Sequence, residues 1–230
     1  MDKSFSDVKA VLFDFGGTLD ADGLTWRQQF LPIYRRLGYK WSEKEFNPLF
    51  YHADDTLTER TLKTVSYDRT IRMQVALLLK KARQMTPQAV EAVARAYLKN
   101  SRAHLKRNKP LLQRLKKKYK LGIVSNFYGN LPEILKGEGY HPLFGAVADS
   151  ARVGSIKPSP DIFFYVLNKL GVRPEESVFV GDSMKRDMRG AKGMGMRHIW
   201  VVGKNYRKDP PCCPGDKVIA SVMELEKILL

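Results

Sequence analysis

VKAVLFDFGGTLD, residues 8–20, is the stretch on which the fold is decided. Its first part, Val8–Phe13, is short and almost continuously apolar, with one lysine and two valines. Such a run is too short for a helix and too apolar for a half-exposed strand. It suits a strand buried on both faces, the kind found in parallel sheets. The run ends at Asp14, and Gly16-Gly17 follow as a turn signal.

Similar runs recur along the chain at 121–124 (LGIV), 177–180 (SVFV) and 198–202 (HIWVV), with a weaker one at 144–148 (FGAVA). Each is bounded by Gly, Asn or Asp. Helical patterns lie between and after them. Ile162, Phe163, Val166, Leu167 and Leu170 repeat at helical spacing after Ser159-Pro160-Asp161, and Gly171 closes the pattern. Residues 185–195 read as a polar helix punctuated by glycine, and 221–230 as a C-terminal one. Strands alternating with helices predict an α/β fold, an open doubly wound (Rossmann-like) parallel sheet.

Residues 21–105 break this rhythm. Apolar residues fall there at helical intervals (Ile71, Val75, Leu78, Leu79, then Val90, Val93, Ala94, Tyr97, Leu98), and Thr86-Pro87 marks a helix start. The expected organisation is an α/β core of residues 1–20 and 106–230, interrupted by an all-helical cap of residues 21–105.

Composition narrows the class. The 230 residues are 43% hydrophobic, enough for a sizeable core, and 40 Lys+Arg against 24 Asp+Glu give a formal net charge of +16. That balance points to an anionic partner. Eight of the basic residues (Lys106, Arg107, Lys109, Arg114, Lys116, Lys117, Lys118, Lys120) sit in one fifteen-residue run without an acid. Leu111, Leu112, Leu115 and Tyr119 recur inside it, so it reads as an amphipathic helix with a solvated basic face. Aromatic interleaving is thin, and nucleic acid is the weaker alternative for this face. Cys212 and Cys213 are adjacent in PPCCPG, which excludes a disulfide framework and a zinc site. A surface loop with two thiols is expected there, a vicinal disulfide being the alternative. There is no apolar signal core and no membrane-length apolar run, so the expected home is the cytoplasm. Nothing in the sequence sets an oligomeric state.

In doubly wound sheets, ligands bind outside the carboxyl ends of the strands. The residues there are Asp14, Gly16, Gly17 and Thr18 after the first run, Ser125 and Asn126 after the second, and Gly181, Asp182 and Ser183 after the fourth. Lys157 precedes the helix that leads into that fourth run. Two carboxylates about 5 Å apart repel by about 3 kcal/mol at an effective dielectric near ~20. They need Lys157, a divalent cation, or both. Mg²⁺ fits, because it prefers oxygen ligands, accepts one or two carboxylates and takes substrate phosphate as a further ligand. His52, His104, His141 and His198 are scattered and offer no softer metal site.

VLFDFGGTLD, IVSN, SIKPSPDIF and VFVGDSMKRD, in this order and spacing, resemble the four motifs of the haloacid dehalogenase-like hydrolase superfamily. The resemblance covers about residues 8–20 and 106–205, and the helical insertion resembles the subgroup whose cap follows the first motif. It implies a phosphatase acting on a phosphorylated small molecule. Asp14 would be the nucleophile that becomes an aspartyl-phosphate, and Thr18 would support its loop. Gly17, Ser125, Asn126 and Lys157 would bind the phosphate, Lys157 also neutralising the nucleophile. Asp14, Gly16 through its carbonyl, Asp182 and Asp187 would hold Mg²⁺.

One position departs from that pattern. Phosphatases of the family carry a second Asp two residues after the nucleophile, which protonates the leaving group and activates water. Here that position is Gly16. Three readings stay open: a phosphatase with a substitute acid such as Asp20 or Asp22, or with a reduced rate or good leaving group; dehalogenase or phosphonatase chemistry; and a non-catalytic binding or regulatory module. The intact GDSMKRD argues against dehalogenation. For substrate recognition by the cap, Trp26, Arg27, Phe50, Tyr51, Arg60 and Arg69 are residues of suitable type.

Overall fold

The computed structural model describes residues 5–58, 62–203 and 217–230; Arg60, Cys212 and Cys213 lie outside these. Among the described residues the apolar runs form a parallel sheet of β1 (Ala10–Phe13), β2 (Lys120–Ser125), β3 (Ala146–Asp149), β4 (Ser177–Gly181), β5 (Arg197–Val201) and β6 (Lys217–Ile219). The strand order is β3-β2-β1-β4-β5-β6. β1 lies at the centre, with Val11 in register with Leu121 on one side and Val178 on the other. Chain order reverses between β1 and β4, so the crevice of a doubly wound sheet opens at their carboxyl ends.

Alternation along the strands explains why the runs are apolar throughout. Val11, Phe13, Leu121, Ile123, Val178 and Val180 point into one hydrophobic cluster, and Ala10, Leu12, Val124 and Phe179 into a second on the opposite face. The second cluster is closed by α7 (Pro160–Leu170) and α8 (Arg189–Gly193). α7 starts at Ser159-Pro160 and stops at Gly171 in the left-handed conformation (φ 60°), as its sequence predicts. The first cluster is continuous with the apolar faces of α1 (Trp26–Arg36), α2 (Glu43–Thr58), α3 (Tyr67–Lys81) and α4 (Pro87–Lys116). α5 (Leu131–Gly137) and α9 (Leu225–Leu229) complete that side, and α6 (Ser150–Val153) is a single turn after β3.

Several details differ from the sequence reading. α4 begins at Pro87 as expected, but runs unbroken for 30 residues, so the boundary expected at 105/106 falls inside one helix. Residues 185–195 form a wide turn (Met184–Met188) and the short α8, and the C-terminal helix is reduced to α9 behind a tight turn at Val222–Glu224. β6 carries only three half-buried or buried residues, too few for a periodic signal.

The basic run occupies the second half of α4 and the turn after it. Leu111, Leu112, Leu115 and Tyr119 are buried, and the charged residues face outward. Many of those charges are engaged locally. Lys118 and Lys120 donate to the carbonyls of Leu229 (2.9 Å) and Leu170 (2.6 Å), which end α9 and α7, while Arg114 pairs with Glu226. Cations at helix carboxyl ends offset the partial negative charge there. Much of the basic run thus serves the fold.

Candidate active site

Asp14 ends β1. Its backbone N–H donates to the Val180 carbonyl (2.9 Å), which holds the loop start beside β4. Its Oδ1 accepts from Phe15 N–H (2.8 Å) and from the Ser125 hydroxyl at the end of β2 (2.7 Å). The Lys157 ammonium lies 2.8 Å from the same oxygen and 2.7 Å from Asp187 Oδ1. Lys157 is 3% exposed. Burial works to lower its pKa, and the attraction of Asp14 and Asp187 outweighs it, so the group is held charged. Its backbone is clamped at both ends by Asn126: Lys157 N–H donates to Asn126 Oδ1 (2.7 Å), and Asn126 Nδ2 to the Lys157 carbonyl (3.2 Å).

The loop then turns through Gly17 at φ 93°, a left-handed conformation suited to glycine. A Cβ at Gly17 would stand 2.7 Å from Asp182 Oδ2, so this glycine lets the loop pass against the carboxylate. Gly17 N–H donates to Asp20 Oδ1 (2.6 Å). That donor is turned to the loop, and Gly17, expected to bind phosphate, is not among the residues that line the cavity described below. Thr18, fully buried, donates to Asp182 Oδ1 (3.0 Å) and so ties the first loop to the fourth strand end.

Oxygens of Asp14, Asp182 and Asp187 lie within 4.8 Å of one another. Burial pushes the Asp182 and Asp187 carboxyls up, and Asp14 adds to both shifts. Thr18 and Lys157 oppose the rise at Asp182; Lys157 and the Ser183 N–H oppose it at Asp187. Three carboxylates against one ammonium leave an all-oxygen cluster short of positive charge. That donor chemistry fits a hard divalent cation, and the carboxylates present are the ones expected to hold it.

Asp14, Ser125 and Lys157 open onto a cavity of about 470 Å³. Asp14, Gly16, Ser125, Asn126 and Lys157 form its core-side wall, and Trp26, Arg27, Phe50 and Tyr51 its cap-side wall. Four of the six cap residues expected from sequence therefore reach it. Arg69 is exposed elsewhere and is not among the lining residues. Asp54, Phe127, Tyr128, Met184, Lys185 and Arg186 also line it and were not anticipated. Tyr128 follows Ser125 by three residues and so had a positional signal; Asp54, on α2, had none.

Neither substitute acid suggested by sequence faces the cavity. Asp20 is fully buried and accepts from Trp26 Nε1 (2.8 Å), Tyr97 (3.1 Å) and Tyr67 (3.3 Å), besides Gly17. Burial pushes its pKa up to about 6 against those hydrogen bonds. Asp22 pairs with Arg107 (2.6 Å) and accepts from Ser221 and Val222 N–H (2.9 and 3.0 Å). Position 16 itself is partly filled: a Cβ there would lie 3.1 Å from Trp26 Nε1.

The chain is 36% identical over 130 residues to a glyceraldehyde 3-phosphate phosphatase of Methanopyrus kandleri, covering 54% of this chain and 56% of that one. It is 37% identical over 99 residues to a phosphoserine phosphatase of Thermus thermophilus, covering 43% and 40%. A haloacid dehalogenase-like hydrolase domain-containing protein 3 of Bos taurus is 40% identical over 88 residues, covering 38% and 35%. The matches thus span about a third to a little over half of the curated relatives' lengths. Among solved structures, a HAD phosphatase of Thermococcus onnurineus superposes with a TM-score of 0.55 at 28% identity, covering 96% of this chain and 98% of that one. Among the described residues, no helix is long and apolar enough to cross a membrane. The family's own sequence pattern matches residues 8–195, and the chain belongs to the haloacid dehalogenase-like hydrolases.

Proposed function

We propose that this chain is a Mg²⁺-dependent phosphatase of small phosphorylated molecules, acting in the cytoplasm through an aspartyl-phosphate on Asp14. The observation that carries the reading is the environment of Asp14. It combines a Ser125 hydroxyl at 2.7 Å and a buried Lys157 ammonium at 2.8 Å on the wall of one cavity, with two further carboxylates close beside them. The glyceraldehyde 3-phosphate and phosphoserine phosphatases among the relatives support the substrate class.

The contacts described at Asp14 fall on Oδ1, which leaves Oδ2 as the attacking atom. Ser125 and Lys157 fix the carboxylate for in-line approach and would meet the phosphate oxygens. Thr18 holds Asp182 in place, and Asn126 holds the backbone that carries Lys157. Mg²⁺ would be held by Asp14, Asp182, Asp187 and the Gly16 carbonyl, and would supply positive charge to the transferring phosphoryl group. Phosphoryl transfer needs chiefly alignment and charge neutralisation, and this set supplies both.

The test is hydrolysis of p-nitrophenyl phosphate with and without Mg²⁺. Metal-dependent turnover that Asp14→Asn reduces to background is expected. Measurable Mg²⁺ binding without turnover of any phosphate ester would overturn the reading in favour of a binding module.

A further inference from the structure

We propose that Asp54, hydrogen-bonded by Tyr128 on the cavity wall, is the general acid and base that Gly16 does not supply. The inference rests on the phosphatase reading of Asp14. With Asp20 and Asp22 committed elsewhere, the proton donor has to come from the rest of the cavity wall.

Among the described lining residues, the carboxyl groups are those of Asp14 and Asp54. Asp14 attacks. Lys157 is held between Asp14 and Asp187, Lys185 is exposed, and Tyr51 is 52% exposed. Asp54 lies one helical turn after Phe50 on α2, so both side chains fall on the stripe of that helix that lines the cavity. Tyr128, placed three residues after Ser125 by the end of β2, donates its hydroxyl proton to Asp54 Oδ1. This hydrogen bond joins the cap to the loop that carries Ser125. Asp54 Oδ2 is the atom that would meet the substrate.

The surroundings suit a group that must gain and lose a proton. Burial raises the Asp54 carboxyl above the ordinary carboxylate range, against the hydrogen bond from Tyr128. Asp55 on the same helix adds to the rise, and Arg186 from the turn after β4 opposes it. Arg27 and Lys185 complete the charged lining on that side.

In the first step Asp14 Oδ2 forms a bond to phosphorus while the bond from phosphorus to the leaving oxygen breaks. That oxygen takes the proton from Asp54. In the second step the Asp54 carboxylate accepts a proton from the water whose oxygen attacks phosphorus. The bond to Asp14 breaks, orthophosphate leaves, and both carboxyl groups return to their starting states.

The experiment compares Asp54→Asn and Tyr128→Phe with the unaltered chain, in Mg²⁺, on p-nitrophenyl phosphate and on a simple alkyl phosphate. Nitrophenolate departs without a proton, whereas an alkoxide needs one. Asp54→Asn is expected to lower kcat/KM about 10²–10⁴-fold on the alkyl ester and less than about tenfold on the aryl ester. It should also abolish the alkaline fall of kcat on the alkyl ester. Tyr128→Phe keeps the acid but removes a donor to its charged form, so that fall should move to higher pH. Equal losses on the two esters, no loss on either, or an unmoved alkaline limb in Tyr128→Phe would overturn the role of Asp54. An unaltered chain that hydrolyses neither ester would overturn the phosphatase reading itself, and the acid with it.

Discussion

The two ends of the Asp14–Asp20 loop each carry a buried carboxylate, and the two live in opposite surroundings. Asp14 faces a cation, with Lys157 at 2.8 Å, and opens onto the cavity. Asp20 is held by neutral donors from the loop and from three cap helices: Gly17 N–H, Trp26 of α1, Tyr67 of α3 and Tyr97 of α4. Hydrogen bonds hold a carboxyl group in place, but without a counter-charge they do not fully offset its burial, and Asp20 is pushed up to about 6. Six residues apart, one acid sits beside a buried cation at the cavity and the other fastens the cap to the loop between them.

Removing the cation at the first end should have the largest effect on the fold. Lys157→Met leaves Asp14 and Asp187 buried without their shared partner, and about 3–5 kcal/mol of stability should be lost. Urea denaturation in the absence of divalent metal measures this; a loss below about 1 kcal/mol would mean that the two ends are not held differently. At the second end, the folded state binds a proton that the unfolded chain releases near pH 4. Stability should therefore fall by roughly 3 kcal/mol as pH rises from about 4 through 6. Asp20→Asn removes that contribution, so its unfolding free energy should gain relative to the parent over the same interval. Parallel pH curves would show that Asp20 titrates normally. Between the ends, Gly17→Ala combines a φ of 93° with a Cβ 2.7 Å from Asp182 Oδ2. About 1–3 kcal/mol of destabilisation is expected, with weaker thermal stabilisation by added Mg²⁺ as the readout.

The core side of the site was readable because parallel strands buried on both faces leave apolar runs, and chemistry in such sheets sits at the run ends. Asp14, Ser125 and Asp182 were found by that rule alone. Lys157 was placed by its position before the helix that leads into the fourth run, and Asp187 only through the resemblance of the motifs. The cap side was harder. Asp54 is one of two adjacent acids on α2 and is distinguished only by facing Tyr128 across the cavity, a contact between residues 74 apart. The boundary expected at 105/106, drawn from an all-helical stretch between the first two strands, falls inside α4, which keeps one helical face buried throughout. Asp20 and Asp22 were near Asp14 in sequence, yet the loop turns both away from the cavity.

The position of the Trp26 indole carries a consequence for descent. It stands 3.1 Å from where a side chain at residue 16 would begin, while its N–H holds Asp20. Glycine at 16 and tryptophan at 26 therefore form one interlocking choice. A lineage that gained an acid at 16 first would have to shift the indole that holds Asp20 before gaining any catalytic return. One that shrank Trp26 first would loosen the cap before any acid was present. Either order passes through a poorer protein, so positions 16 and 26 are expected to change together.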